Sequence, residues 1–360
     1  MATRTARHPA TFLLAWRVSG ALVSEPLIWL DLSRVLAAGA IVWIHCPRSA
    51  ELSPTTVLAR FAVPFFVAAA VFLVFQSAEK QPRRRWGAYA WSRLQRLYVP
   101  FLAWSGIYLL FKWGKWILLP DQPNDFPGLE LFLFGGAYHL WFLPFLLIVS
   151  LVTFAVAGHT VRNPSSRHGW ALAGGIAGAI VATIAPSTWP AGRFEACYFM
   201  LAALPAALWA WPAALVYQEL NARGCELPGS PTRSRDQRPS VAMAIVMFAG
   251  GVMLLAICCL GLWVLGRTVW LENLAGMALL GSVCVPLGPP LVKRARGLAE
   301  LSFGVYLAHL LFVKIMEAAL TKAGWPATPL TDVGTWIVAV AGAAGVTLGL
   351  QQCRATRWMI

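Results

Sequence analysis

Long apolar runs alternate with short polar segments along almost the whole chain. About 20 mostly apolar residues are needed for a helix to cross a bilayer. Ten runs meet that length, over about 27–46, 56–77, 98–119, 138–157, 169–187, 196–217, 240–265, 269–289, 300–320 and 332–352. Irregular backbone cannot face lipid, so all ten are read as helices. The pattern predicts an all-α, polytopic membrane helix bundle of about ten transmembrane helices. It divides the chain into an N-terminal segment 1–26, a transmembrane domain 27–352 and a short tail 353–360. Within the first segment, Thr11–Val23 is apolar but short and interrupted by Arg17. It reads as an interfacial helix and not as a cleavable signal. The stretch 218–239 is rich in Pro, Gly, Ser and Arg and reads as a flexible connector.

Composition supports the membrane reading. Hydrophobic residues make up 58% of the 360 and charged ones 12%, whereas soluble domains carry about a quarter charged residues. The same figures exclude disorder and a secreted disulfide scaffold. The net charge of +14 would suggest nucleic acid in a soluble protein. Here the basic residues lie in loops between runs, so topology explains them and no nucleic-acid partner is expected. With both termini cytoplasmic, most of the 29 Lys and Arg fall on the inner side, as the positive-inside rule requires. Cys46 and Cys197 fall toward one membrane face, which leaves a disulfide open, while Cys258 and Cys259 read as inert core residues.

Ionisable groups inside a bilayer are costly, so each is a functional candidate. The first run carries Asp31, Arg34 and His45. Arg34 and His45 are eleven residues apart, almost three helical turns, so they share a face about 16 Å apart along the axis. Asp31 stands three residues before Arg34 on that side. Read singly, Asp31 and Arg34 are an ion pair and His45 a structural hydrogen-bonding group. Read together, they are a polar stripe turned into the bundle. His139 and His309 also sit in apolar surroundings, and each alone reads as structural. Arg93 and Arg96 share a helix face just before the third run. They are either a plain inner-face charge pair or a phosphate-binding pair, since guanidinium matches phosphate geometry. No P-loop, GxGxxG, GxSxG, HExxH or acidic cluster occurs, so no metal site is expected.

Four local patterns resemble the acyltransferase-3 family of integral membrane acyltransferases. They are Arg34 followed after ten residues by His45, RLQRLYVPF at 93–101, HLWFLPFLL at 139–147 and LSFGVYLAHLLF at 301–312. They occur in the family's order over about 28–350. One departure lies in VPFFVAAAVFL, where Ala68, Ala69 and Ala70 replace the family's Ser-Gly.

The resemblance implies transfer of an acyl group, usually acetyl, from acyl-CoA to a hydroxyl of a sugar, glycan or lipid-linked acceptor. It also implies a cell-membrane location and no permanently bound cofactor. On this reading acyl-CoA docks with its phosphates at Arg93, Arg96 and Arg34, and His45 is the general base. A covalent acyl intermediate on the protein is the alternative route. Tyr306 and His309 orient substrate or donate to the oxyanion, and Trp141 stacks on a sugar or belongs to the core. The competing class is a transporter or flippase for a glycan or lipid-linked substrate, whose expected mark is two related halves with broken helices.

Overall fold

The computed structural model describes residues 28–118, 128–185, 195–222, 241–265, 268–281 and 289–360. The N-terminal segment 1–26, with its expected interfacial helix, and all but the start of the 218–239 connector lie outside these residues. The described chain begins with α1 (Ile28–Ile44), a short α2 (Thr56–Ala59), α3 (Ala62–Lys80) and α4 (Trp86–Arg93). A π-helical turn, Leu94–Tyr98, leads into α5 (Val99–Leu118). Then follow α6 (Leu131–Phe134), α7 (Phe142–Arg162), α8 (Arg167–Ile184) and α9 (Glu195–Ala222). The last elements are α10 (Val241–Leu265), α11 (Val269–Gly281), α12 (Pro289–Lys322) and α13 (Pro329–Gln352). No strand occurs among the described residues.

A helix lies on each of the ten apolar runs, with shifted edges. α11 is described as far as Gly281, and the described part of α12 starts at Pro289, eleven residues ahead of its run. Those eleven residues, PPLVKRARGLA, are too polar to register as an apolar run but continue the same helix. Among the described residues, five helical stretches are long and apolar enough to cross a membrane: Ser53–Lys80, Tyr138–Arg162, Ala196–Val216, Arg296–Lys322 and Pro329–Gln352.

The central column is α3, which packs against α1, α7, α9 and α11. A helix that is apolar on all sides buries all sides. Here Phe65, Val67, Ala68, Val71, Val74 and Phe75 are all shut off from solvent. Ala68 and Ala69, which replace the expected Ser-Gly, keep α3 narrow enough for neighbours on several sides.

In α8 the usual amphipathic logic is replaced by size. Leu172, Ile176, Ile180 and Ile184 recur every fourth residue and are all exposed. On its packed side stand Gly174, Gly178 and Ala182. A Cβ on Gly174 would come 2.8 Å from the carbonyl oxygen of Leu208, and one on Gly178 2.4 Å from the Trp209 indole nitrogen. Small residues inward and large aliphatic ones outward suit lipid as the surrounding solvent.

One polar device joins α9 to α11. Pro205 lies inside α9, where a proline removes a backbone donor. The side-chain amide of Asn273, fully buried in α11, lies beside it. Its Nδ2 donates to the Ala202 carbonyl at 2.7 Å, and its Oδ1 accepts from the Ala206 N–H at 2.8 Å. It thereby pairs the carbonyl and N–H of the rung beside the proline. Replacing Asn273 with Ala leaves both backbone groups without this partner, at a cost of about 1–3 kcal/mol each. The expected result is a lower thermal unfolding midpoint in detergent, measured on Asn273→Ala against the unmodified protein.

Candidate active site

Helix ends from one side of the bundle converge on a cavity of about 250 Å³. His45 stands immediately after α1. The chain beyond it is pinned by Asp332 in the first turn of α13, which is 2% exposed. Asp332 accepts from the backbone N–H groups of Arg48 and Ser49, each at 3.0 Å, and from the Ser49 hydroxyl. The Trp336 indole donates to the Gly39 carbonyl at 2.9 Å and ties the same two helices together. His139 lies in the 3-10 turn Tyr138–Trp141 that opens α7. Two glycines bring the chain into that turn. Gly135 has φ +84°, and a Cβ on Gly136 would lie 2.3 Å from the Ser105 carbonyl oxygen, so the chain passes directly over the α5 backbone.

The structure brings His45, His139 and His309 together. The His45 ring stacks on His309 with centroids 5.3 Å apart, and His309 meets His139 edge to face at 5.0 Å. The Tyr138 hydroxyl lies 2.7 Å from His45 Nδ1. His309 Nδ1 is 2.7 Å from the Tyr306 carbonyl and 3.2 Å from that of Val305. A carbonyl only accepts, so Nδ1 carries the proton and the neutral ring's Nε2 is an acceptor. The Tyr306 hydroxyl donates to the His139 carbonyl. Tyr306 and His309 have therefore committed their protons to backbone carbonyls. That commitment departs from the expectation that they donate to an oxyanion. His139 differs: it is buried, lines the cavity, and neither of its ring nitrogens bonds to the protein. Trp141 also faces the cavity, stacked on Phe199 at 5.9 Å and 16°.

Besides Tyr138, two charged cavity residues escaped the reading of the sequence, Arg60 and Glu272. Glu272 is 5% exposed, in the first turn of α11. Both lie inside apolar runs, so the rule that singled out Asp31, Arg34 and His45 applies to them equally.

The remaining candidates lie elsewhere. Asp31 and Arg34 form an ion pair at 3.5 Å on α1, fourteen and eleven residues before His45. Arg93 donates from Nε to the Tyr89 hydroxyl at 2.9 Å, and its guanidinium stands over the Tyr89 ring, as that of Arg84 does. Burial lowers the pKa of Arg96 from its ordinary value, and repulsion from Arg93 and Arg84 adds to it. Tyr89 itself stacks on Phe154 with centroids 3.9 Å apart. Phe154 is twelve residues along α7 from Phe142, a cavity residue, or about 18 Å at helical rise. Arg84, Arg93 and Arg96 thus form a cationic group far from the histidines along the bundle axis. Among the described residues, no group of three or more His, Cys, Asp or Glu is placed to hold a metal ion. Cys46 and Cys197 are free thiols, so the disulfide left open by the sequence is not formed.

A model of the acyltransferase domain family matches residues 27–350. The chain belongs to the acyltransferase-3 family. Searches of curated proteins and of solved structures return no match. Membership makes the protein a membrane acyltransferase, which needs an acyl donor and an acceptor. Three of the four family-like patterns, those holding His45, His139 and His309, meet at the cavity. The fourth, RLQRLYVPF, runs through the π-helical turn at the cationic group. Tyr138→Phe removes the bond to His45 and leaves the ring in place. Acyl transfer is expected to fall about ten-fold, equivalent to about 1.4 kcal/mol. Labelled-acyl transfer at equal protein level checks this.

Proposed function

We propose that this acyltransferase moves an acetyl group from acetyl-CoA to a hydroxyl of a sugar or glycan, with His45 as the general base. The observation that carries the reading is the separation of two sites along one bundle. A cavity walled by histidines and aromatic rings lies at one end, and clustered guanidinium groups lie at the other. A free CoA phosphate suits the guanidinium end. A hydroxyl acceptor suits the imidazole end, because imidazole exchanges protons near neutral pH.

In this reading ten helices cross the cell membrane with both termini in the cytoplasm. Acyl-CoA enters at Arg93 and Arg96, and its pantetheine arm extends through the bundle toward the cavity. His45 removes the acceptor hydroxyl proton as the oxygen attacks the thioester carbonyl. The tetrahedral intermediate collapses with cleavage of the C–S bond, and the proton passes from His45 to the departing CoA sulfur. His309 holds the His45 ring by stacking. His139, with a neutral ring that has one N–H to give, donates to the developing oxyanion. Arg34, paired with Asp31, lies on the path between the two sites.

Two tests follow. With acetyl-CoA labelled in the acetyl group, membranes carrying the unmodified protein should label the glycan fraction and His45→Ala membranes should not. Full transfer by His45→Ala would sink the base assignment. Arg93→Ala and Arg96→Ala should each raise the KM for acetyl-CoA by about ten-fold, the scale of one charged hydrogen bond. Each should also flatten its salt dependence. An unchanged KM in both variants would remove the cationic group from donor binding.

A further inference from the structure

We infer that a small pocket between Arg84 and Arg162 is a phosphomonoester site, distinct from Arg93 and Arg96, and that the 3′-phosphate of CoA fills it. This rests on the acyl-CoA reading above and deepens it. The pocket has a volume of about 70 Å³ and lies where the link from α3 to α4 meets the end of α7. One water needs about 10–15 Å³ of such space, so the pocket takes a group of roughly five heavy atoms, the size of a phosphate.

Small residues on α7 make the space, and two arginines bound it. Ala155 and Gly158 are three apart on α7 and both line the pocket. A Cβ on Gly158 would lie 3.9 Å from a guanidinium nitrogen of Arg162. The Arg162 side chain therefore turns back along its own helix, over the glycine, and lines the pocket. Across from it, the Arg84 guanidinium lies 5.2 Å from the centre of the Tyr89 ring. Tyr89 in turn stacks on Phe154, another lining residue. Contact with an aromatic ring steadies a guanidinium and leaves its N–H groups free to donate to a ligand. Among the described residues, no carboxylate forms an ion pair with either arginine.

A phosphomonoester carries a charge of about −1.5 to −2 at neutral pH and presents three acceptor oxygens. Two guanidinium forks match it in both charge and geometry. The Arg93 guanidinium stands 5.1 Å from the same Tyr89 ring, so the pocket adjoins the group proposed to receive the donor. In CoA the 3′-phosphate and the pyrophosphate hang from one ribose, which suits two neighbouring cationic groups. Trp86 also lines the pocket and is 54% exposed, offering a flat face to the adenine. A lipid headgroup phosphate shares the pocket's chemistry but brings no base for that indole.

The test measures binding by titration calorimetry to the full-length protein in phosphatidylcholine nanodiscs, with CoA and dephospho-CoA as probes. The unmodified protein is expected to bind CoA at least about ten-fold more tightly than dephospho-CoA, the scale of one charged hydrogen bond. In Arg162→Ala, CoA binding should fall to the dephospho-CoA level while dephospho-CoA binding holds. Ala155→Leu fills the pocket without changing its charge and should abolish the preference as well. A general attraction to a basic surface would survive that variant. Arg93→Ala should weaken both probes and leave their ratio intact. A preference for CoA that persists in Arg162→Ala and Ala155→Leu overturns the inference. Equal binding of the two probes by the unmodified protein removes CoA as the source of the phosphate. The pocket then remains a phosphate site only if phosphatidic acid added to the discs is retained by the unmodified protein and lost from Arg162→Ala, as read by native mass spectrometry. Should neither probe bind, the acyl-CoA reading itself falls, and the phosphatidic acid comparison alone decides the pocket.

Discussion

Water does not enter a bilayer core to pair polar groups, so the polar groups of this bundle draw on partners within the protein, and the His139 ring nitrogens stand out because they have none. Asn273 supplies both halves of a backbone rung next to Pro205. Asp332 collects two N–H groups and a hydroxyl from the turn after α1. Tyr306 and His309 give their protons to the carbonyls of His139, Tyr306 and Val305. The Asp332 and Tyr306 bonds reach chain segments at helix ends, whereas those of Asn273 and His309 go to backbone groups inside α9 and α12. The cavity lies among them.

The division of the site into two ends has a physical basis in charge. Guanidinium groups remain charged and repel one another when buried, as Arg96 does beside Arg93 and Arg84. They are stable where lipid headgroups, solvent or a bound phosphate can answer them. Neutral imidazoles tolerate the interior, and three of them pack ring against ring there. Hydrocarbon depth thus sorts the two chemistries without any dividing wall in the fold.

Much of this was legible in the sequence. The apolar runs locate the helices because length and hydropathy alone are demanded by lipid. His45, His139 and His309 stand out as rare polar groups in apolar runs, and they do converge. What the sequence does not carry is which helix ends meet. Arg60 and Glu272 obey the same rarity rule, yet nothing local connects residue 60 with residue 272. Their shared wall depends on Gly276 and Asn273, whose meaning appears only when α11 rests on α3 and α9. The uses of Tyr306 and His309 are likewise decided by nearby carbonyls that no motif displays. The start of α12 shifts because the helix begins ahead of the apolar run, in the more polar PPLVKRARGLA.

The Asn273 bridge beside Pro205 joins the stability of the bundle to the shape of its cavity. The bridging amide belongs to the residue next to Glu272, so the wall of the cavity and the packing of α9 on α11 move together. A homologue cannot easily reshape this end of the cavity by sliding α11, because the slide would strip the Ala202 carbonyl and the Ala206 N–H of the Asn273 amide. Diversification of such an enzyme is therefore channelled into side-chain exchanges on a fixed frame, at positions such as 141, 199, 202 and 203, and away from movements of its helices.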